Sequence, residues 1–294
     1  MSRNRSILII AVAVVSIGIL LLIVNNPPKE TANQAQPKNK PSSQETPVVS
    51  PLPTETLAET AAKTSPTETP AATAAKPESF EDGVWIKKYH GNFACYKFET
   101  PDGIKVITDP FCMDETIDPD IVTESHQHVD HTDVKKLTGI YELLTTTGES
   151  IQSGVKVTGV SGKHNKGDTE CTNIIYVFEI EGITIAHFAS QGELPDEKAL
   201  EEMGNIDILL IQAFTSPDYK DSKLTLAECK EIIRKLKPKI VIPEHGTPKL
   251  GDSLAKYLEA DIEYASNGQL VVTRDALDEI ETVKIIDLDT NVTL

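Results

Sequence analysis

Hydrophobic and polar positions divide the chain into three parts. Residues 7–24 form an apolar run of 18 residues without a charge, which is just long enough to cross a bilayer as a helix. Residues 25–78 hold 10 of the 18 prolines and no aromatic residue, so they cannot bury enough apolar surface to offset the entropy of ordering. From residue 79 onward, apolar runs alternate with polar ones over 216 residues, enough for one large core. We therefore predict a membrane helix over 1–24, a disordered linker over 25–78 and a folded domain over 79–294.

Within the domain, β-type runs dominate the first part and helical periodicity follows. Two pairs of runs predict hairpins that turn at 101–103 and at 181–182. Thr225 with Glu228 three residues later predicts a capping box at a helix start. The predicted strands are Phe93–Thr100, Ile104–Asp109, Ile174–Ile180 and Ile183–Phe188, and the predicted helices are 196–203, 225–236 and 253–258. Periodicity alone therefore indicates a mixed α and β domain.

Charges around the first apolar run predict its orientation. Arg3 and Arg5 precede the run, and the next basic residue is Lys29. The positive-inside rule then places the N-terminus in the cytoplasm and the domain outside, on a single-pass signal anchor. The alternative is a cleaved signal peptide and a secreted domain, but Asn25-Asn26-Pro27-Pro28 is a poor cleavage context.

The net negative charge of the chain limits the kinds of molecule that it can bind. Residues 1–24 carry two arginines and the linker carries 5 lysines and 6 glutamates, so the net charge of −17 puts −18 on residues 79–294. Such a surface repels phosphate backbones, so we expect a small-molecule substrate and no nucleic acid. The only expected membrane contact is the N-terminal helix.

A histidine cluster is the strongest chemical signal in the chain. Ser125–His131 contains three of the seven histidines together with Asp130. Imidazole and carboxylate together suit Zn²⁺ and similar divalent ions. In an extended backbone, alternation points His126 and His128 the same way. We therefore predict a metal site here rather than a histidine-rich surface loop.

Further segments extend this motif into an ordered series that resembles the metallo-β-lactamase superfamily over about residues 80–290. Within the superfamily, the chain most resembles the branch that contains the ascorbate-phosphate-lactonase-like hydrolases and the phospholipase D that cleaves N-acylethanolamine phospholipids. The segments that carry the resemblance are Tyr89-His90-Gly91, Lys105–Phe111, Val157–His164, Ile183–Ser190, Ile206–Leu210 and Ile240–Gly246.

The resemblance implies an αββα sandwich, with two sheets packed face to face and helices outside. It also implies two metal sites, held by His126, His128 and His164, and by Asp130, His131 and His245. A three-histidine zinc site leaves a fourth position for water, and Asp130 would orient that water or shuttle its proton. We expect one tightly held Zn²⁺ and a weak or absent second ion, with Mn²⁺ or Fe²⁺ as alternatives.

One position departs from the family pattern. The family usually has Gly-Asp after the strand that ends near His187, and that aspartate bridges two metals, whereas this chain has Ala189-Ser190. A hydroxyl bridges two cations less well than a carboxylate, so Ser190 puts the second site in doubt. Glu193, three residues later, is a candidate substitute ligand.

The remaining histidines and aromatics have weaker assignments. We expect His187 to support the site from behind rather than to bind metal. His90 is either a substrate-pocket residue or a partly exposed structural histidine. Trp85, Phe214 and Tyr219 are candidates for an apolar pocket wall or for the core.

Four cysteines leave the redox state open. Cys95, Cys112, Cys171 and Cys229 permit three disulfide pairings in an exported domain, and unpaired thiols are the alternative. Cys112 follows Asp109-Pro110-Phe111 on a loop expected near the active-site edge.

Two functions are consistent with these features. The first is a membrane-anchored, extracytoplasmic metal-dependent hydrolase that acts on an ester, lactone, amide or phosphoester. The second is a non-catalytic metal-binding or sensing domain that retains the fold. The sequence does not specify the substrate, since loops such as 216–223 determine it.

Overall fold

The computed structural model describes residues 80–90, 93–216, 218, 220–245 and 249–288. The strands are β1 Val84–Lys88, β2 Tyr96–Glu99, β3 Lys105–Thr108, β4 Ile121–Thr123, β5 Glu142–Leu144, β6 Gly148–Gln152, β7 Val155–Gly162, β8 Asn173–Ile180, β9 Ile183–His187, β10 Ile208–Ile211, β11 Ile240–Pro243, β12 Asp261–Tyr264, β13 Gln269–Val272 and β14 Lys284–Asp287. The helices are α1 Glu197–Met203, α2 Leu226–Leu236, α3 Leu250–Leu258 and α4 Arg274–Asp278.

The predicted membrane helix over 1–24 and the linker over 25–78 lie outside the described residues. Among the residues that are described, no helix combines the length and the apolar character needed to cross a membrane.

The first sheet has six strands in the order β13-β1-β2-β3-β4-β5. The predicted hairpin of β2 and β3 is confirmed, with Tyr96 opposite Thr108 and Glu99 opposite Lys105. Strands β3, β4 and β5 run parallel to one another. The chain therefore leaves β3 and β4 at the same edge of this sheet.

The second sheet has eight strands in the order β12-β14-β11-β10-β9-β8-β7-β6. The second predicted hairpin, β8 with β9, is also confirmed. Strands β9, β10 and β11 are parallel to one another. Strand β7 runs in the same direction, because β7 and β9 are both antiparallel to β8. The carboxyl ends of β7, β9, β10 and β11 therefore lie at one edge of the sheet.

Alternating side chains pack the two sheets against each other. On β3 and β4, Val106 and Ile121 enter the core between the sheets, whereas Ile107 and Val122 point to the opposite face. From the second sheet, Phe178 contributes to the same core and its ring lies 5.2 Å from that of Phe98. This two-sheet sandwich agrees with the predicted fold class.

The outer layers differ between the two sheets. Apolar residues of α1, α2 and α3 cover the second sheet. The outer face of the first sheet is covered by Met113, Ile117, Leu137 and Tyr141, which lie outside the α-helices. Within the described residues, the segments that cover the first sheet are mostly irregular and include a 3-10 helix at Val134–Lys136, directly before Leu137.

The predicted helices begin and end close to their expected limits. Thr225 caps α2, and the capping box with Glu228 is confirmed. Asp196 caps α1 by accepting a hydrogen bond from the Ala199 amide. Helix α3 begins at Leu250, three residues earlier than predicted, because Leu250 and Gly251 add buried positions to its inner face.

The four cysteines are free thiols. Cys229 lies in α2 and is buried, and Cys95 is buried just before β2 rather than within a strand. Cys112 and Cys171 are exposed.

Candidate metal centre

Loops at one edge of the sandwich bring the predicted metal ligands together. The loop after β4 carries His126–His131, the loop after β7 carries His164, and His245 follows β11. These strands end at the same edge of their sheets, which explains how ligands far apart in sequence meet.

The first cluster consists of His126, His128 and His164, whose ligand-type nitrogens all lie within 4.8 Å of one another. His126 Nε2 is 3.1 Å from His128 Nδ1. The backbone of His128 is extended, with φ −106° and ψ 152°, which agrees with the alternation expected for this loop. The ring of His164 lies 4.7 Å from that of His126 and 4.8 Å from that of His128.

The second cluster consists of Asp130, His131 and His245, whose ligand-type atoms also lie within 4.8 Å of one another. A 3-10 turn over Val129–His131 changes the direction of the chain directly after His128. This turn brings Asp130 Oδ2 to 3.7 Å from His131 Nε2. Because the ring centroids of His126 and His131 are only 4.0 Å apart, the two clusters are adjacent.

A buried carboxylate orients the second cluster. Asp109 is fully buried, and its Oδ2 lies 2.7 Å from His131 Nδ1. Its two oxygens also accept hydrogen bonds of 2.7 Å from the amide and the hydroxyl of Ser125. An imidazole held through Nδ1 presents Nε2 to the cluster, the arrangement in which an outer carboxylate fixes a metal-binding histidine.

The pKa values of His126 and His131 are shifted in opposite directions. Burial, together with the neighbouring His131, lowers the pKa of His126 to about 2. Burial also acts to lower the pKa of His131, but the Asp109 carboxylate outweighs it and the pKa is raised. His126 is therefore available to a cation as a neutral imidazole, whereas Asp109 favours the protonated form of His131, which competes with metal binding.

Hydrogen bonds to its backbone hold His164 in place. Its N–H donates to Thr172 Oγ1 at 2.8 Å, and its carbonyl oxygen accepts from Lys223 Nζ at 2.7 Å. Burial and the Lys223 ammonium lower the pKa of His164 to about 4. Gly192 packs so closely that a Cβ on it would lie 2.2 Å from the His164 carbonyl oxygen, so this position requires glycine.

Ser190 and Glu193 occupy different surroundings. Ser190 is buried, and its Oγ lies 3.4 Å from His131 Nε2, so the hydroxyl faces the second cluster. Glu193 instead accepts a hydrogen bond from the Gly167 amide at 3.1 Å and belongs to neither ligand group. The structure therefore places Ser190 at the site and does not bring Glu193 to it.

His187 lies beneath the site in a buried ionisable pair. Both His187 and Glu244 have fully buried side chains, with His187 Nε2 3.1 Å from Glu244 Oε2. This contact is close but lacks the alignment of a hydrogen bond. Burial opposes protonation of His187, but Glu244 outweighs it and raises its pKa. His187 is fully buried and belongs to neither ligand group.

Aromatic rings surround the other end of the site. Phe93 stacks on His245 with centroids 6.3 Å apart and meets Phe111 edge-on at 4.6 Å. Phe214 lies perpendicular to His245 at 6.5 Å, and exposed His90 lies 5.0 Å from Phe93. Phe214 and His90 are thus at the rim.

The other two aromatic candidates do not extend this rim. Trp85 is buried in β1, where its ring packs under the Lys97 ammonium at 4.5 Å, so it is a core residue. Tyr219 lies outside the described residues.

Three residues that shape the site were not assigned a role from the sequence. Asp109 directly follows β3 and has a left-handed φ of 43°, and an aspartate directly after an apolar run is a signal that could have identified it. Lys223 and Thr172 carry no such signal, since they reach His164 only through the folding of distant loops.

Comparison with known proteins identifies the family. Residues 88–245 match the Beta-lactamase superfamily domain, which covers more than half of the chain. The chain therefore belongs to this superfamily.

Solved structures with this fold include a candidate Zn-dependent hydrolase of the metallo-β-lactamase superfamily from Thermotoga maritima. It is 27% identical, with a TM-score of 0.56 over 69% of this chain and 98% of that one. A metallohydrolase from Ignicoccus hospitalis is 13% identical, with a TM-score of 0.48 over 60% and 90% of the two chains. A candidate metal-dependent hydrolase from Parabacteroides distasonis is 15% identical, with a TM-score of 0.49 over 70% and 94%. No curated protein matches the chain significantly.

Proposed function

We propose that this chain is a metal-dependent hydrolase that cleaves an ester, lactone, amide or phosphoester in a small-molecule substrate. The observation that carries the proposal is the pair of adjacent ligand clusters at one edge of the sandwich. The family and the candidate hydrolase from Thermotoga maritima support the same reaction class.

The donors of the first cluster fit a zinc ion. Two of its three imidazoles have lowered pKa values and so are neutral at physiological pH. Three histidines are the protein ligands of one type of catalytic zinc site, with one position left open. We therefore propose His126, His128 and His164 as ligands of Zn²⁺, with Mn²⁺ or Fe²⁺ as alternatives.

The second cluster supplies the Asp130 carboxylate and two histidines, of which His131 has a raised pKa. A divalent ion at such a centre would polarise the bond to be cleaved and lower the pKa of a water molecule. Asp130 is only partly buried, with 25% of its side chain exposed, so its carboxylate can accept a proton and return it to solvent. Asp109 holds the His131 ring in one orientation throughout.

The neutral side chain of Ser190 suggests that the two clusters hold metal ions with unequal occupancy. Its neutral hydroxyl faces His131 where a carboxylate would offset the repulsion between two cations. We infer one tightly held ion at the three-histidine cluster and a weaker ion, if any, at Asp130, His131 and His245. The same observation favours the second candidate function, a metal-binding or sensing domain without catalysis.

Metal analysis and substrate profiling test these functions. The full chain, purified in a mild detergent, should contain about one zinc, manganese or iron per chain and lose it in chelator. It should hydrolyse at least one member of a panel of 4-nitrophenyl esters, lactones and phosphodiesters. A chain that binds no metal would contradict both functions, whereas metal binding without hydrolysis across the panel would favour the sensing domain.

We also propose that residues 1–24 anchor the protein and that the domain faces outward. The charges of Arg3 and Arg5 before the apolar run support this orientation. Protease added to intact cells should release the domain by cutting within 25–78. Protection of the domain until the cells are lysed would contradict the topology.

A further inference from the structure

Lys223 places a positive charge against the first cluster. Its Nζ lies 3.2 Å from each ring nitrogen of His164 and donates to the carbonyl oxygen of the same residue at 2.7 Å. The side chain is partly buried, and the Asp168 carboxylate is close enough to interact with it electrostatically without forming one of the ion pairs seen among the described residues.

Neighbouring lysines are engaged differently. Lys166 pairs with the Glu228 carboxylate at 2.8 Å, and Lys163 Nζ donates to the carbonyl oxygen of Glu170 at 2.6 Å. These two ammonium groups hold loops together. Lys223 is therefore the lysine that directs its charge to the cluster itself.

An ammonium group beside a bound dication is repelled by it unless an anion lies between them. The domain as a whole carries an excess of acidic groups. The Lys223 ammonium therefore adds a positive charge directly at the cluster of an otherwise acidic domain, and this charge would favour an anion that contacts both Lys223 and the metal centre.

The opposite end of the site is apolar. The imidazole rings form a row in which His126 is 4.7 Å from His164 and 4.0 Å from His131, and His131 is 5.9 Å from His245. Beyond His245 lie the partly buried rings of Phe93, Phe111 and Phe214, which we call the ring wall. Lys223 and the ring wall thus lie at opposite ends of the row.

We propose that the substrate is an amphiphilic anion, with its anionic group held by Lys223 and its apolar part against the ring wall. This inference rests on the proposed function, since it assigns the substrate class of the same site. The cleaved bond would lie between the two parts, above the imidazole row.

Two probes that share one apolar group test the anion site. They are 3-phenylpropane-1-sulfonate and 3-phenylpropan-1-ol, and sulfonate is chosen because it is a weak metal ligand. Calorimetric titration of the full chain, both zinc-loaded and metal-free, should show that the sulfonate binds at least about tenfold more tightly than the alcohol, since a lost charge-assisted contact is worth about a factor of ten or more.

Variants separate the role of Lys223 from general charge. Lys223→Met should remove the tenfold preference for the sulfonate, and Lys223→Arg should retain most of it. Lys163→Met removes an equal charge one residue from His164 and should leave the preference within about twofold, because the Lys163 ammonium is bound to the Glu170 carbonyl oxygen rather than to the cluster. Phe93→Ala should weaken both probes by the same factor.

Three results would overturn the inference. The first is a wild-type chain that binds both probes equally or binds neither, and the second is a Lys163→Met effect as large as that of Lys223→Met. The third is a Phe93→Ala variant that binds both probes as tightly as wild type. Metal content and hydrolysis of the same preparations distinguish this failure from that of the proposed function. If the chain binds zinc and hydrolyses an ester but shows no preference for the sulfonate, only the anion site is contradicted. The titration of the metal-free chain tests the anion site even if no metal binds.

Discussion

The two ligand clusters are neighbours, but the protein holds them in different ways. His164 in the first cluster is fixed through its backbone by Thr172 and Lys223, at the surface of a loop. His131 in the second is fixed through its ring by the buried carboxylate of Asp109. The pKa values of His126 and His164 are lowered, whereas the Asp109 carboxylate raises the pKa of His131.

This difference ranks the two clusters as cation sites. The neutral imidazoles of His126 and His164 bind a cation without releasing a proton, whereas the raised pKa of His131 makes protonation a stronger competitor of metal binding. The hydroxyl of Ser190, which faces His131, adds no negative charge that would attract a second ion. We therefore expect the order of filling to be the three-histidine cluster first.

Loss of one ligand from the first cluster should have the largest effect. We expect His126→Ala or His128→Ala to remove the bound metal and any hydrolytic activity together, because two donors are too few to retain the ion. Metal analysis of the purified variants measures this directly. His90→Ala removes an exposed histidine outside both clusters and should keep its metal. Full occupancy in the first two variants would contradict the ligand assignment.

Removal of the buried charge behind His131 should have the next largest effect. We expect Asp109→Asn to lower the free energy of unfolding by about 3 kcal/mol, because it breaks a buried pair. Asparagine tolerates the left-handed backbone of this position, where φ is 43°, so the loss reports the charge rather than strain. Urea unfolding of the metal-free chain measures it.

Asp130→Asn is the matched control for this charge. Asp130 also faces His131, at 3.7 Å, but is partly exposed, so its replacement should change stability by less than about 1 kcal/mol. Equal losses in the two variants would mean that burial does not distinguish the two carboxylates.

A new carboxylate should make the second cluster resemble a complete site. We expect Ser190→Asp to raise the bound metal from near one equivalent toward two. The buried charge is costly without an ion, so the variant should be less stable than wild type in chelator. With zinc at about 100 times its dissociation constant, binding should add about 2.7 kcal/mol.

Ser190→Asn is the control, because asparagine has the same size as aspartate but no charge. This variant should bind no additional metal. If wild type already binds two ions tightly, the interpretation of Ser190 as an incomplete second site is wrong.

Features that depend on residues close together in the sequence could be predicted, whereas contacts between residues far apart in the sequence could not. The two hairpins and the capping box at Thr225 depend on neighbours in the chain, and all three were predicted correctly. The spacing of His126, His128 and His131 is likewise local. Asp109 acts on His131 across 22 residues and Lys223 on His164 across 59, and these partners depend on how the two sheets align their ends.

The fold class was predicted through family resemblance more than through periodicity. Hydrophobic patterns indicated mixed α and β structure and did not specify two packed sheets. They also did not show that loop residues such as Met113 and Tyr141 cover the first sheet in place of a helix. Apolar residues in irregular segments carry no periodicity, so their burial is determined only by the tertiary structure.

The smallest expected effect concerns the support of the first cluster. Thr172→Val removes the hydroxyl that accepts the His164 N–H at 2.8 Å and keeps the size of the side chain. Thr172 is exposed, so water can replace the lost partner, and we expect a loss of only about 1 kcal/mol in unfolding free energy. Zinc affinity should fall a few-fold because His164 is held less rigidly, whereas Thr172→Ser keeps the hydroxyl and should match wild type. Competition with a chromogenic chelator measures both variants. If Thr172→Val binds zinc as tightly as wild type, the hydrogen bond to the His164 backbone does not determine the zinc affinity of the first cluster. The remaining difference between the two clusters would then be the buried charge of Asp109 behind His131.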